Sequence, residues 1–208
     1  EVMERVQQVI AKVEPHDSVE RYTNLGVEVI EGEARLTGPW TVEVDDRTLT
    51  SRSVIIATGA APLVPPIKGI EAIDYLTSDN FWQLRGNPGR LVVLGGGPIG
   101  SEITQAMARL GADVTQIEML PRIMAREDPE VSAYVQERFE AEGIKVLTGH
   151  TARQVIVEDD EKILLCDVQG EVIQNIFLFV VGEAKPFEND MAFDFGNGFM
   201  RRLPDFRI

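Results

Sequence analysis

The feature that most constrains this chain is the run Leu91-Val92-Val93-Leu94-Gly95-Gly96-Gly97-Pro98-Ile99-Gly100-Ser101-Glu102, with Glu118 eighteen residues beyond Gly100. An apolar strand runs into G-x-G-x-x-G, a helix follows, and a second strand ends on a carboxylate. Each part has a physical job in gripping a dinucleotide. Gly95 permits the tight turn off the strand, Gly97 lets the backbone approach a pyrophosphate, and Gly100 allows the helix to pack closely on the sheet. The helix N-terminus offers unpaired N–H groups to the phosphates, with Pro98 and Ile99 inside the same loop. Glu118 is spaced to accept hydrogen bonds from the adenosine ribose hydroxyls. The alternative is a glycine-rich strand-to-helix turn that holds nothing.

The choice of cofactor rests on charge. A 2′-phosphate needs cations near the end of the second strand, and a carboxylate there repels it, so Glu118 favours NAD(H) over NADP. Arg122 and Arg126 are the nearest cations and leave some NADP use open. Glu102 falls two residues past Gly100, in the expected first helical turn. It serves there either as an acid at the positive helix end or as a group near the nicotinamide.

Composition removes several other classes. The chain has 208 residues and a net charge of −14, which disfavours nucleic acid and anionic membranes, since phosphate-rich surfaces call for clustered Lys and Arg. No apolar run reaches the ~18 residues that span a bilayer. The expectation is a cytoplasmic protein. Cys166 is the single cysteine, so no disulfide or dithiol chemistry arises within these residues, and a buried inert thiol on a strand is expected. His16 and His150 have no metal-ligand spacing, and no metal site is expected.

Periodicity sets the organisation. Met3, Val6, Ile10 and Val13 predict an amphipathic helix stopped near Pro15, followed by a short helix from Asp17 to Asn24. Strands are expected at Val27–Ile30, at Thr41–Val44 before an Asp45-Asp46 turn, and as a pair within Arg47–Ala57. Pro62, Pro65, Pro66 and Gly69 predict a linker, with a domain boundary near residue 75. Thr77 or Ser78 then caps a short helix through Leu84. Ile99, Ile103, Met107 and Leu110 form a helical stripe closed by Gly111, and Val114–Ile117 is the next strand. Asp128 and Pro129 open a helix carrying Val131, Val135 and Phe139, and Ile144–Leu147 is a third parallel strand. Val155–Val157, Ile163–Cys166, Glu171–Ile173 and Ile176–Val181 predict an antiparallel meander returning to the main sheet.

A second stretch, Ser51-Arg52-Ser53-Val54-Ile55-Ile56-Ala57-Thr58-Gly59-Ala60-Ala61-Pro62, lies about 36 residues before the glycine loop. With that loop and Val114-Thr115-Gln116-Ile117-Glu118-Met119-Leu120-Pro121-Arg122, it resembles the pyridine nucleotide–disulfide oxidoreductases, closest to their dihydrolipoamide dehydrogenase and mercuric reductase branch. The resemblance implies an α/β fold: a Rossmann-type NAD-binding domain, with parallel sheet, helices and antiparallel β-meander, preceded by a partial FAD-binding domain. It implies residues 1–75 for the partial FAD domain and 76–187 for the NAD(H) domain, with 188–208 unassigned. It carries Thr58, Gly59, Gly32 and Ala34 to FAD contact, and Val181-Gly182 to the nicotinamide ribose. Gly97, Ile99, Glu102 and Glu118 are carried to the nicotinamide cofactor, joining Gly95, Pro98 and Gly100 of the glycine loop.

Such proteins pass a hydride between NAD(P)H and flavin, and full-length members are homodimers. The family's earlier G-x-G-x-x-G, its redox cysteine pair and its later Gly-Asp flavin motif have no counterpart here. After Val181-Gly182 the family's Arg and Pro-Asn turn are replaced by Glu183-Ala184-Lys185-Pro186-Phe187. The chain therefore resembles an internal fragment, a truncated oxidoreductase expected to bind NAD(H) without turning over. Two alternatives stand beside this: a non-catalytic NAD-binding module, and a cysteine-free flavin reductase passing electrons to a protein acceptor.

Overall fold

The computed structural model describes residues 1–159 and 161–167, and the backbone of 172–174, 177–180 and 185–186. In chain order these form α1 (Val2–Val13), α2 (Val19–Asn24), β1 (Ala34–Gly38), β2 (Thr41–Val44), β3 (Arg47–Thr50), β4 (Ala60–Ala61), β5 (Tyr75–Leu76) and β6 (Arg90–Leu94). There follow α3 (Pro98–Arg109), β7 (Asp113–Glu118), α4 (Pro129–Ala141), β8 (Lys145–Thr148), β9 (Thr151–Glu158), β10 (Glu161–Asp167), β11 (Val172–Gln174), β12 (Phe177–Val180) and β13 (Lys185–Pro186). Contacts divide the chain into two units, one containing Glu1–Ala11 and Ala61–Lys185, the other Lys12–Ala60.

The first unit is built on a five-stranded sheet in the order β5-β12-β6-β7-β8, parallel throughout. A parallel sheet needs cover on both faces, and the alternation along β6 shows how it is divided. Leu91 and Val93 face one side, against Ile103 and Met107 of α3 and against Phe81. Val92 and Leu94 face the other, against Ile67, Ile70 and Ile73 and against Val155, Leu164 and Cys166 of the meander. Leu91, Val92 and Val93 are fully buried, and each contributes roughly 1.5–3 kcal/mol. The meander is antiparallel in the order β11-β10-β9, and β12 then rejoins the parallel sheet beside β6, as the sequence pattern predicts.

The division between units falls at residues 60/61, earlier than the boundary expected near 75. Ile67, Ile70 and Ile73 belong to the sheet's core, so the proline-rich stretch is part of the body rather than a free linker. Val155 N–H donates to Lys68 O at 2.8 Å, which fastens that stretch to β9. The short helix expected through Leu84 is a single 3-10 turn, Phe81–Gln83. Asn80 Oδ1 accepts from Thr77 N–H at 2.7 Å and Thr77 Oγ1 accepts from Asp79 N–H at 3.3 Å, so the expected cap at Thr77 forms although only one turn follows it.

Two apolar stripes are only partly used. In α3, Ile103 and Met107 are buried while Ile99 and Leu110 are about half exposed. The inward face is completed instead by Gly100, Ser101 and Thr104. In α1, Met3 packs against the Phe81 cluster, but Ile10 and Val13 are exposed. Gly111 and Gly143 close α3 and α4 at φ +91° and +83°, with Ala112 and Ile144 N–H returning to Met107 O and Phe139 O.

The second unit contains a β1-β2-β3 antiparallel meander turned at Asp45, whose φ is +50°. Two expected strands are absent. Val27–Ile30 and Val54–Ala57 are irregular, and Ile55 is 88% and Ile56 55% exposed. Apolar strands of a parallel sheet persist only where neighbours supply hydrogen-bond ladders and cover both faces. Among the described residues neither segment has a ladder partner. Hydrophobicity alone leaves them irregular and largely exposed.

Arg109 and Glu142 tie α3 to the end of α4 through two hydrogen bonds of 2.9 and 2.7 Å. The Arg109 bond holds the Glu142 carboxyl below its ordinary value of 4.5, against the opposing effect of desolvation. A depressed carboxylate adds stability above the unfolded-state value, and that stability fades as pH falls through the lower folded value. Denaturation midpoints of the parent and Glu142→Gln should therefore differ above about pH 5 and converge in stronger acid. Equal separation at every pH would show the pair to be energetically silent.

Among the described residues no helix is long and apolar enough to cross a membrane, and no cluster of His, Cys, Asp or Glu is arranged to hold a metal.

Candidate dinucleotide-binding site

The candidate site is the turn between β6 and α3, together with the end of β7. Gly95 leaves the strand at φ +114°, where a side chain is strained, and its N–H donates to Ile117 O at 2.8 Å. This fastens the loop to the neighbouring strand at the point where both end. Gly97 is the N-cap of α3, its carbonyl receiving the first helical bond from Ser101 N–H at 2.9 Å. The opening N–H groups of any helix have no partner within it, so this end is a donor site facing outward.

The glycines differ in what they permit. A Cβ on Gly100 would lie 2.2 Å from Gly95 O, so Gly100 is required for the helix to approach the strand turn. A Cβ on Gly97 would meet nothing within 4 Å. Contacts within the protein therefore leave the backbone at Gly97 open. Gly95 turns the chain, Gly100 seats the helix, and Gly97 leaves a surface clear.

Glu118 ends β7 with both carboxylate oxygens engaged. Oε2 accepts Gly96 N–H at 2.6 Å and Oε1 accepts Leu120 N–H at 2.7 Å. Each oxygen keeps a further lone pair. The acid thus faces the glycine loop across the strand ends and is itself held in place by backbone donors.

Glu102 is exposed and stands at the fifth position of α3, because the helix begins at Pro98. The expected first-turn placement is corrected to just past that turn. Favourable interaction with a helix dipole falls off within that first turn, which weakens the purely structural role for Glu102.

Arg122 donates to Glu127 O at 2.8 Å and to Ala125 O at 2.7 Å, bracing the 125–127 turn. Its guanidinium is committed to structure. Below that turn Ile123 is fully buried against Phe139 and Ile144, and Met124, at φ +49°, donates its N–H to Gly96 O at 2.6 Å.

Sequence reasoning missed Gly96, Met124 and the polar pair Gln116–Ser101. Gly96 occupies an unrestricted position of the motif. Yet a Cβ there would lie 2.9 Å from Ile123 Cγ2 and 3.0 Å from Glu118 Cβ. Three successive glycines were the available signal. Nothing local flagged Met124.

The candidates drawn from the resemblance to flavoproteins are less well assembled. Ala34 opens β1 opposite Val44, and Gly32 sits in a bend where a Cβ would fall 2.5 Å from Asp45 Oδ2. Gly32 therefore follows an irregular segment and not the expected strand Val27–Ile30. Thr58 and Gly59 are exposed and follow no strand, with Gly59 at φ +70°. The two strands that would bring these four residues to one sheet end are not formed. Val181, Gly182 and residues 188–208 lie outside the described residues.

A strand, a glycine turn seated under a helix, and an acid closing the adjacent strand define a Rossmann-type α/β unit. The chain belongs to the pyridine nucleotide-disulphide oxidoreductase family, whose model matches residues 2–185. It is 34% identical over 178 residues to a mercuric reductase of Bacillus cereus, covering 83% of this chain and 28% of that protein. It is 38% identical over 163 residues to a dihydrolipoyl dehydrogenase of Thermus scotoductus, covering 75% of this chain and 35% of that one. In fold it is similar to the HOCl-induced flavoprotein disulfide reductase RclA of Escherichia coli, with TM-score 0.76 and 21% identity over 91% of this chain and 44% of that one. The chain thus spans about a third of the length of these curated relatives. Members of the family are oxidoreductases.

Proposed function

We propose that this chain supplies the nicotinamide-dinucleotide grip of a flavin-dependent oxidoreductase. The observation that carries it is the contrast within one loop. Gly95 is demanded by its φ of +114° and Gly96 and Gly100 by the protein's own packing, whereas no contact demands a glycine at Gly97, which stands at a helix N-terminus. An anion drawn to that helix end, with a ribose within reach of an acid, describes a dinucleotide pyrophosphate.

In this assignment the N–H groups at Gly97, Ile99 and Gly100 receive the pyrophosphate, and the remaining lone pairs of Glu118 receive the adenosine ribose hydroxyls. Ile99, half exposed, gives the cofactor an apolar wall, and Glu102 lies toward the nicotinamide. Val181 and Gly182 keep the nicotinamide-ribose role that the family resemblance implies. NAD(H) is preferred over NADP(H), because Glu118 repels a 2′-phosphate and Arg122 is committed to the 125–127 turn.

The flavin partner fits less well. Gly32, Ala34, Thr58 and Gly59 do not reach one sheet end, so no step through FAD is assigned to these residues. FAD, when bound in a family member, takes up the hydride from the nicotinamide. Without a cysteine pair, residues 1–208 alone hold the cofactor and do not turn over a disulfide.

Calorimetric titration of the chain with NADH and with NADPH, alongside an absorbance spectrum for flavin, tests this. One NADH per chain is expected, bound roughly tenfold more tightly than NADPH, a difference of ~1.4 kcal/mol. Failure to bind NADH would sink the assignment. Stoichiometric flavin in the purified chain would overturn the statement that its site is unassembled.

A further inference from the structure

We propose that Gln116 is a positioning residue for the dinucleotide: it holds the Gly95 carbonyl and the Ser101 hydroxyl so that the glycine loop presents its donors outward. The proposal rests on the assignment of that loop as the cofactor grip.

Gln116 lies in the middle of β7 and is fully buried. Its backbone partners are Val93 on β6 and Val146 on β8, so an aliphatic residue would suit the strand. A buried amide without partners costs about 1–3 kcal/mol. Here only half of it is compensated, because Gln116 Oε1 has no hydrogen-bond partner. The other half is spent on the loop. Nε2 donates to Gly95 O at 3.1 Å and to Ser101 Oγ at 3.3 Å. Ser101 Oγ in turn donates to Gly96 O at 3.4 Å.

The amide can serve in one orientation only, since a carbonyl oxygen turned toward Gly95 O would set acceptor against acceptor. The consequence follows from planarity. In a trans peptide the C=O and the next N–H point in opposite directions. Holding Gly95 O inward aims Gly96 N–H at the Glu118 carboxylate, where it is found. Holding Gly96 O inward, through Ser101 and Met124, turns Gly97 N–H the opposite way, away from those two partners. Gln116 fixes one carbonyl directly and the other through Ser101.

The test is Gln116→Met, of similar length without the donor. NADH and adenosine are titrated in parallel, by calorimetry and by NMR, on variant and parent. The NADH dissociation constant should rise about tenfold, the scale of two neutral hydrogen bonds. Adenosine has a ribose for Glu118 and no phosphate for the loop, so its affinity should stay within about twofold. The thermal midpoint should shift little, because removal of the unpaired Oε1 offsets the loss of the donor to Gly95 O.

A fall in the NADH-to-adenosine affinity ratio supports the proposal whatever the midpoint does. An unchanged ratio, with both ligands weakened or neither, overturns it and leaves Gln116 a packing residue. If the parent itself fails to bind NADH, the cofactor assignment falls first and this proposal with it.

Discussion

Gly100→Ala is expected to destabilise the first unit by about 3 kcal/mol or more and to abolish NADH binding. The added methyl carbon would stand 2.2 Å from the Gly95 carbonyl oxygen, a backbone atom. Gly95 cannot retreat freely. Its N–H is bonded to Ile117 O at 2.8 Å and its carbonyl to Gln116 at 3.1 Å. Relief requires α3 to move away from the sheet, opening the contacts of Ile103 and Met107 with Leu91 and Val93. Gly97→Ala makes the informative contrast. Its backbone, at φ −74° and ψ −178°, suits any residue, and the methyl meets nothing within 4 Å. Urea melts should agree with the parent to within ~0.5 kcal/mol. NADH affinity should nevertheless fall at least tenfold, or ~1.4 kcal/mol, because the methyl would stand where the proposed site receives the pyrophosphate. Equal stability losses for the two variants would refute the division of labour among the glycines.

Glu118→Ala is expected to weaken NADH binding by roughly 3 kcal/mol, about a hundredfold. That exceeds the loss of a single ribose contact, because the same carboxylate accepts Gly96 N–H and Leu120 N–H. Removing it strands two backbone donors at the strand end and frees the middle glycine of the loop. Glu118→Gln retains one acceptor oxygen and should fall between. NADPH should lose less than NADH in both variants, since the repulsion of its 2′-phosphate disappears with the charge. Parallel calorimetry with the two cofactors reads this directly. An equal loss for both would return Glu118 to a purely structural role.

The site was legible where a residue type is dictated by backbone geometry. Gly95, Gly100 and the start of α3 at Pro98 were readable from sequence because a turn, a close approach and a helix start each admit few residues. The sheet was legible in part: β6 is an apolar run broken where the strand must end, whereas β5 was not expected. The irregular states of Val27–Ile30 and Val54–Ala57 were not. Their composition is that of buried parallel strands, and a strand's existence depends on ladder partners that no local pattern reports. Gln116 was passed over for a related reason. A polar residue amid apolar strand positions carries no label saying whether it faces water or a loop carbonyl. Only the packing showed it to be fully enclosed. The role of Ile67, Ile70 and Ile73 was hidden behind prolines that suggested a free linker.

The double duty of Glu118 bears on how such a chain could change cofactor. Exchanging an acid for a neutral residue is the obvious first mutational step toward a phosphorylated ribose. Here that step also unties Gly96 from the end of β7. The intermediate would gain tolerance for the new ligand and lose the shape that holds either one. A productive path must first give the loop another anchor, for instance a second acceptor for Gly96 N–H, and only then remove the acid. The short bond between a glycine and a glutamate therefore imposes an order on the mutations, an epistasis written into the turn.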